Sequence, residues 1–162
     1  MVARKRRSKK RSGASSARRP DATHTYFVDE CLGRHFVANA LRTAGAHVEL
    51  HHEHFRSGAP DAEWLPIVGE RNWIVLTKDR HIRRRELEIQ AIVNSRVRAF
   101  VLTAADLTGR EQAQAFVRAL PKMNRMAAAS RGPLIGRIAE SGGVSMLELP
   151  RARSRKRLTR PT

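Results

Sequence analysis

The feature that most constrains the fold is an alternation of strand-like and helix-like segments, repeated four times between Thr25 and Ala129. Thr25–Asp29 (TYFVD) is β-branched and aromatic, Ala46–Leu50 (AHVEL) reads as a second strand, and Ala99–Leu102 (AFVL) as a fourth. The third, Asn72–Leu76 (NWIVL), is a continuous apolar run, as a strand buried on both faces requires. The intervening segments carry helical spacing: Arg34–Ala44 places Phe36, Val37, Ala40 and Leu41 on one face and is closed by Gly45. Helices are also predicted over Asp61–Glu70, Arg83–Val93 and Thr108–Ala129, with Pro66 kinking or splitting the first of these and Pro121 breaking or kinking the last. His51–Pro60 reads as a loop. Pro133–Ala139 and Val144–Leu149, joined by Ser141-Gly142-Gly143, suit a hairpin, and there are no internal repeats. Such alternation predicts an α/β fold with a mostly parallel sheet covered by helices on both faces. Ligands of such sheets sit at the carboxyl ends of the strands, near the switch in strand order.

The acids fall on that rim. Asp29 and Glu30 close the first strand, Asp79 lies three residues past the third, and Asp106 four past the fourth, while Asp61 opens the helix after the second. Carboxylates gathered this way repel one another, so one takes up a proton or a cation fills the gap. Oxygen donors without cysteine or histidine partners favour Mg²⁺ or Mn²⁺, which can activate water at a phosphodiester. Each acid also has a simpler reading: Asp61 as a helix N-cap, Asp79 paired with Arg80 or Arg83, and Asp106 as a turn residue. The basic run Lys78, Arg80, His81, Arg83, Arg84 and Arg85 is either a solvated helix face or a groove for a polyanionic backbone. His47, His51, His52 and His54 lack the spacing of a zinc motif and read as a solvated loop. Trp64 and Trp73 fit the core. Cys31, the single cysteine, excludes an intrachain disulfide and reads as a buried structural thiol. No Gly-rich phosphate loop or nucleophile elbow supports triphosphate hydrolysis or serine chemistry.

The net charge of +17 belongs mostly to the ends. Residues 1–22 carry +8 and residues 151–162 carry +6, which leaves residues 23–150 at +3 (17 basic against 14 acidic). Both ends are read as disordered basic tails, solubilising or contacting nucleic acid, around one domain spanning 23–150. No apolar run follows the basic start or reaches membrane-spanning length, so a cytoplasmic protein without membrane association is expected.

Phe27-Val28-Asp29-Glu30, the helix ending at Ala44-Gly45, the stretch Gly58-Ala59-Pro60-Asp61-Ala62-Glu63-Trp64-Leu65, and Val75-Leu76-Thr77-Lys78-Asp79-Arg80 together resemble the PIN-like domain family. The resemblance covers roughly residues 25–150 and is nearest the subgroup allied to VapC-type toxins, small ribonucleases of toxin–antitoxin pairs. It implies a three-layer α/β/α sandwich and a metal-dependent endoribonuclease. Asp29, Asp61 and Asp79 would be the Mg²⁺ or Mn²⁺ acids, with Asp106 as candidate for a fourth, Glu30 as a helper and Thr77 orienting the site. Lys78, Arg80, Arg83 and Arg84 would hold RNA. An antitoxin protein, and a second copy of the chain, are the protein partners implied. Arg80-His81 stands where related sequences often carry another acid. A catalytically weak or inactive PIN-like nucleic-acid-binding module is therefore the alternative.

Overall fold

Successive residues of a strand face opposite sides of a sheet, and here both sides are apolar. The computed structural model describes residues 24–83 and 85–149. The strands are β1 (Thr25–Val28), β2 (His47–Leu50), β3 (Ile74–Thr77), β4 (Arg98–Leu102), β5 (Leu134–Ile138) and β6 (Val144–Leu147). They form one sheet in the order β2-β1-β3-β4-β5-β6, parallel except for the antiparallel β5–β6 hairpin. Tyr26, Val28, Ile74, Leu76, Phe100, Leu102, Leu134 and Ile138 face one way, towards α1 (Phe36–Thr43) and α5 (Gly109–Ala129). Phe27, Val75, Ala99, Val101 and Ile135 face the other way, towards α3 (Asp61–Glu70) and α4 (Glu86–Asn94). The result is the expected three-layer α/β/α sandwich with a mostly parallel central sheet.

Local chemistry sets the helix ends. Gly45, at φ 87°, closes α1: its N–H bonds Arg42 O at 3.0 Å and the Ala46 N–H bonds Leu41 O at 3.0 Å, the paired bonds of a Schellman stop. Thr108 opens α5 through a reciprocal cap, Thr108 Oγ1 accepting from Glu111 N and Glu111 Oε2 accepting from Thr108 N at 2.7 Å. Neither proline splits its helix: α3 runs through Pro66 and α5 through Pro121. Burial on either side of each proline (Leu65 and Val68, Leu120 and Met123) offsets the lost hydrogen bond.

Three expectations are corrected. His51–His54 is not part of a solvated loop but winds into the short helix α2, and His51 is buried at 2 % exposure. An aromatic wall explains it: the His51 ring centroid lies 6.0 Å from Phe27, 5.5 Å from Phe55 and 5.9 Å from Trp64. The helix predicted from Arg83 starts only at Glu86, because a 3-10 turn over His81–Arg83 is followed by an extended Arg85 (ψ 127°). Cys31 is exposed as a residue, although its sulfur is turned inwards as described below. Trp64 is buried as expected, and Trp73 is half-buried against the same cluster. Among the described residues no helix is long and apolar enough to cross a membrane. The two predicted tails, and Arg84, lie outside the described residues.

Candidate metal centre

The strand order switches between β2-β1 and β3-β4, since the chain first steps from β1 to β2 and then returns to β3 on the other side of β1. Crossovers then leave on opposite faces and open a crevice at the carboxyl ends of β1 and β3. A cavity of about 700 Å³ lies there, lined by Asp29, Glu30, Cys31, Asp61, Lys78, Asp79, Arg80 and His81. Asp29, Glu30, Asp61 and Asp79 of the predicted site thus meet Lys78 and Arg80 of the predicted RNA contacts.

Asp29 is fixed from several directions. Its N–H donates to Leu76 O at 2.9 Å, which ties the end of β1 to β3. Its Oδ2 accepts from Thr77 Oγ1 at 2.6 Å and from Cys31 Sγ at 3.0 Å. Thr77 is fully buried, and its Oγ1 also accepts the Asp79 N–H at 3.0 Å, so one hydroxyl aligns both acids. Asp79 Oδ1 in turn accepts the His81 N–H at 2.8 Å. Cys31 Sγ lies 3.2 Å from Thr77 Oγ1, and burial of the thiol, then the charge of Asp29, push its pKa up to about 12. A thiol held neutral donates to Asp29 and has no nucleophilic character near pH 7.

Asp61 is delivered by another route. Pro60 is the N-cap of α3 and Asp61 its first helical residue, without a side-chain cap bond, so the N-cap alternative is not realised. Glu30 braces the approach: its carboxylate accepts from Gly58 N at 2.9 Å and from the Ser57 hydroxyl, and those bonds hold its pKa below the usual value. Glu30 therefore links the end of β1 to the turn that precedes Asp61. Burial pushes the Asp61 pKa up to about 6, and the charges of Asp29, Glu88 and Asp79 add to it, in that order. This is the repulsion expected of clustered carboxylates.

The sign of that shift gives a stability prediction. With a folded pKa above the unfolded one, the metal-free protein loses stability as pH rises from about 4 to about 6 and stays penalised above that. Asp61→Asn should remove the penalty, on the order of 1 kcal/mol once solvent screening of this half-buried group is allowed for. Urea unfolding of both proteins at pH about 4 and about 7.5 checks it, the variant gaining only at the higher pH.

Glu88 is the acid that the sequence reading missed. It sits in the first turn of α4, its Oε1 lies 3.5 Å from Arg85 Nη1, and its Oε2 is buried without a hydrogen-bond partner among the described residues. An acid in the first turn of the helix after β3 occupies the same kind of position as Asp61 after β2, but the basic run before it masks that pattern. Asp106 is not among the residues that line the cleft. It is exposed and has φ 57°, a left-handed turn conformation that aspartate tolerates. Lys78 and Arg80 line the cleft from a loop, not a helix face, while Arg83 lines a neighbouring pocket.

The rim acids line one cavity without clasping it. Among the described residues, the one trio of potential ligand atoms within 4.8 Å of one another is Glu49, Glu53 and His54, on β2 and α2. Those donors are already engaged: His54 Nε2 lies 2.7 Å from Glu49 Oε2, and Glu53 Oε2 accepts the Leu50 N–H at 3.0 Å. At the rim, by contrast, each of Asp29 and Asp79 keeps one carboxylate oxygen without a partner among the described residues. Mg²⁺ commonly retains several waters and takes one or two direct carboxylates, so a splayed set of acids with one near-neutral pKa fits it.

This sheet order, with acids converging on its switch point, defines a class. Residues 25–104 match the family model described as PIN like domain, and the chain belongs to the PIN-like domain family. Over 125 residues it is 30% identical to the curated Mycobacterium tuberculosis (strain ATCC 25618 / H37Rv) protein named "Putative ribonuclease VapC45", covering 75% of this chain and 90% of that one. No solved structure matches it.

Proposed function

We propose that the chain is a metal-dependent endoribonuclease and the toxin component of a toxin–antitoxin pair. The observation that carries the reading is the Asp29–Thr77–Asp79 arrangement at the β1/β3 switch point, with Asp61 opposite. Family membership and the ribonuclease name of the mycobacterial relative support it. Asp29, Asp61 and Asp79 would hold Mg²⁺ or Mn²⁺. The ion supplies positive charge and water activation at a phosphodiester. The chain's own residues do the positioning. Thr77 and Cys31 pin Asp29 Oδ2 and leave the other oxygen without a partner among the described residues, the Thr77 hydroxyl sets the Asp79 backbone, and Glu30 holds the turn before Asp61. Lys78 and Arg80 flank the same cavity and offset the charge of an entering phosphodiester backbone. A VapC-type nuclease calls for an antitoxin that blocks this cleft, and for a cytoplasmic setting where RNA is met.

The test is cleavage of single-stranded RNA by the full chain with Mn²⁺, with and without EDTA. Cleavage that EDTA abolishes supports the reading. RNA binding with no cleavage at any Mn²⁺ concentration contradicts it and favours the inactive binding module. Within the same assay, Thr77→Val should lower cleavage by about tenfold to a hundredfold, the range for groups that orient metal ligands. An unchanged rate would show that the hydroxyl does not orient Asp29.

A further inference from the structure

A second cavity lies on the same rim, further along the sheet. It measures about 270 Å³ and is lined by Arg83, Thr103, Arg137, Ala139, Gly143 and Ser145. Two arginines and two hydroxyl residues line this space, and among the described residues no acid does, in contrast to the acid-rich cleft beside it. Arg137 is the telling residue. It sits on β5 directly opposite Ser145 of β6, on the sheet face shared with Ile135, where alternation would otherwise place an apolar side chain. Its Nε is buried and has no hydrogen-bond partner among the described residues. A buried guanidinium N–H without a partner is costly, and a planar fork of this kind is matched by the oxygens of a phosphate.

The register relates this pocket to the candidate metal centre. Thr77 pairs with Val101, and Val101 with Arg137. Arg137 therefore occupies the same row of the sheet as the threonine that anchors Asp29, two strands away, or about 10 Å at the usual strand spacing. Arg83, four residues after Asp79 and at the end of the 3-10 turn, joins the two cavities along the chain.

We propose that the Arg83–Arg137 pocket binds a backbone phosphate of the RNA strand, a few nucleotides from the bond placed at the acidic cleft. The inference rests on the nuclease reading for its choice of RNA, though the pocket's chemistry stands on its own residues. Thr103 Oγ1 donates to Ile138 O at 3.0 Å and keeps lone pairs only, so Arg137 and Ser145 are the donors that would reach the phosphate, with Arg83 adding positive charge at the pocket wall.

The experiment measures binding of a fluorescent single-stranded RNA to the full chain in EDTA, across a salt series, for wild type, Arg137→Gln, Arg137→Lys and a charge control, Arg125→Gln, on the exposed face of α5. Losing one phosphate contact should lower the slope of log affinity against log salt by about 0.7. Arg137→Gln should do so and weaken binding about fivefold to tenfold at moderate salt, while Arg125→Gln should do neither. Arg137→Lys should keep the slope and lose part of the affinity, because the point charge remains without the fork. In parallel, inorganic phosphate should shift the Arg137 Nε–Hε resonance of the wild type, a readout that needs no variant to fold. Arg137→Gln indistinguishable from Arg125→Gln overturns the proposal, as does an Nε signal unmoved by RNA. A shift with inorganic phosphate alone, RNA binding being unaffected, also overturns it and leaves a site for free phosphate. Wild-type cleavage with no Arg137 effect removes the subsite and spares the nuclease reading; an Arg137 effect without any cleavage does the reverse.

Discussion

Asp29→Asn should reduce Mn²⁺-dependent RNA cleavage by at least about a hundredfold, the scale of losing a preorganised charge contact in a hydrolytic site. The variant should stay folded. The carboxamide oxygen of the substituted side chain can still accept the Thr77 hydroxyl that Asp29 Oδ2 now accepts at 2.6 Å, so the geometry survives while the charge is lost. Removing that charge also relieves the repulsion on Asp61, for which Asp29 is the largest charged cause. Thermal melting of the metal-free variant near neutral pH should therefore match or exceed that of wild type. Cleavage kinetics and melting on the same preparation check both halves. A variant that cleaves within about threefold of wild type would remove Asp29 from the chemistry.

The largest effect on stability is expected at Phe27, two residues before Asp29 on β1. Its ring lies 5.3 Å from Trp64, 5.9 Å from Trp73, 5.9 Å from Phe55 and 6.0 Å from His51, and it is fully buried. Phe27→Ala leaves a cavity lined by rigid rings that cannot collapse, so it should cost about 3–5 kcal/mol. That is a large share of the stability of a domain this size. Urea unfolding measures it, and a loss below about 1 kcal/mol would show that the aromatic wall repacks freely. The same wall carries α2 and α3, so Phe27 also holds the helix that presents Asp61.

What was legible in the sequence follows from how local each signal is. β1, β3 and β4 were legible because both faces of each are buried, so Tyr26–Val28, Ile74–Leu76 and Ala99–Leu102 are continuous apolar runs. The start of α5 was written in Thr108 and Glu111, and the end of α1 in Gly45. Asp29 and Asp79 could be placed because strand ends fix where the next few residues stand. Asp61 needed the family resemblance, since a lone acid after a proline is equally a cap.

The rest depended on contacts between distant segments. His51 looked solvated among His52 and Glu53 because nothing local reveals that Phe27 and Trp64 enclose it. The Cys31 sulfur turns inwards because Thr77, 46 residues on, offers it a partner. Asp106 has the right spacing after β4, but the chain takes a left-handed turn there and leaves it exposed. Glu88 was hidden by the neighbouring basic run, whose charge of opposite sign dominates the local pattern. Arg137 was invisible for a related reason: one arginine in a short edge hairpin carries no pattern until register sets it beside Ser145 and in the row of Thr77.

The most direct test of the metal-centre account is anomalous diffraction from crystals of the full chain soaked in Mn²⁺. An anomalous peak is expected in the β1/β3 cleft, touching Asp29 and Asp79 directly or through one water, with Asp61 drawn towards it. A peak held by Glu49, Glu53 and His54, with the Asp29 cleft showing none at saturating Mn²⁺, would contradict it.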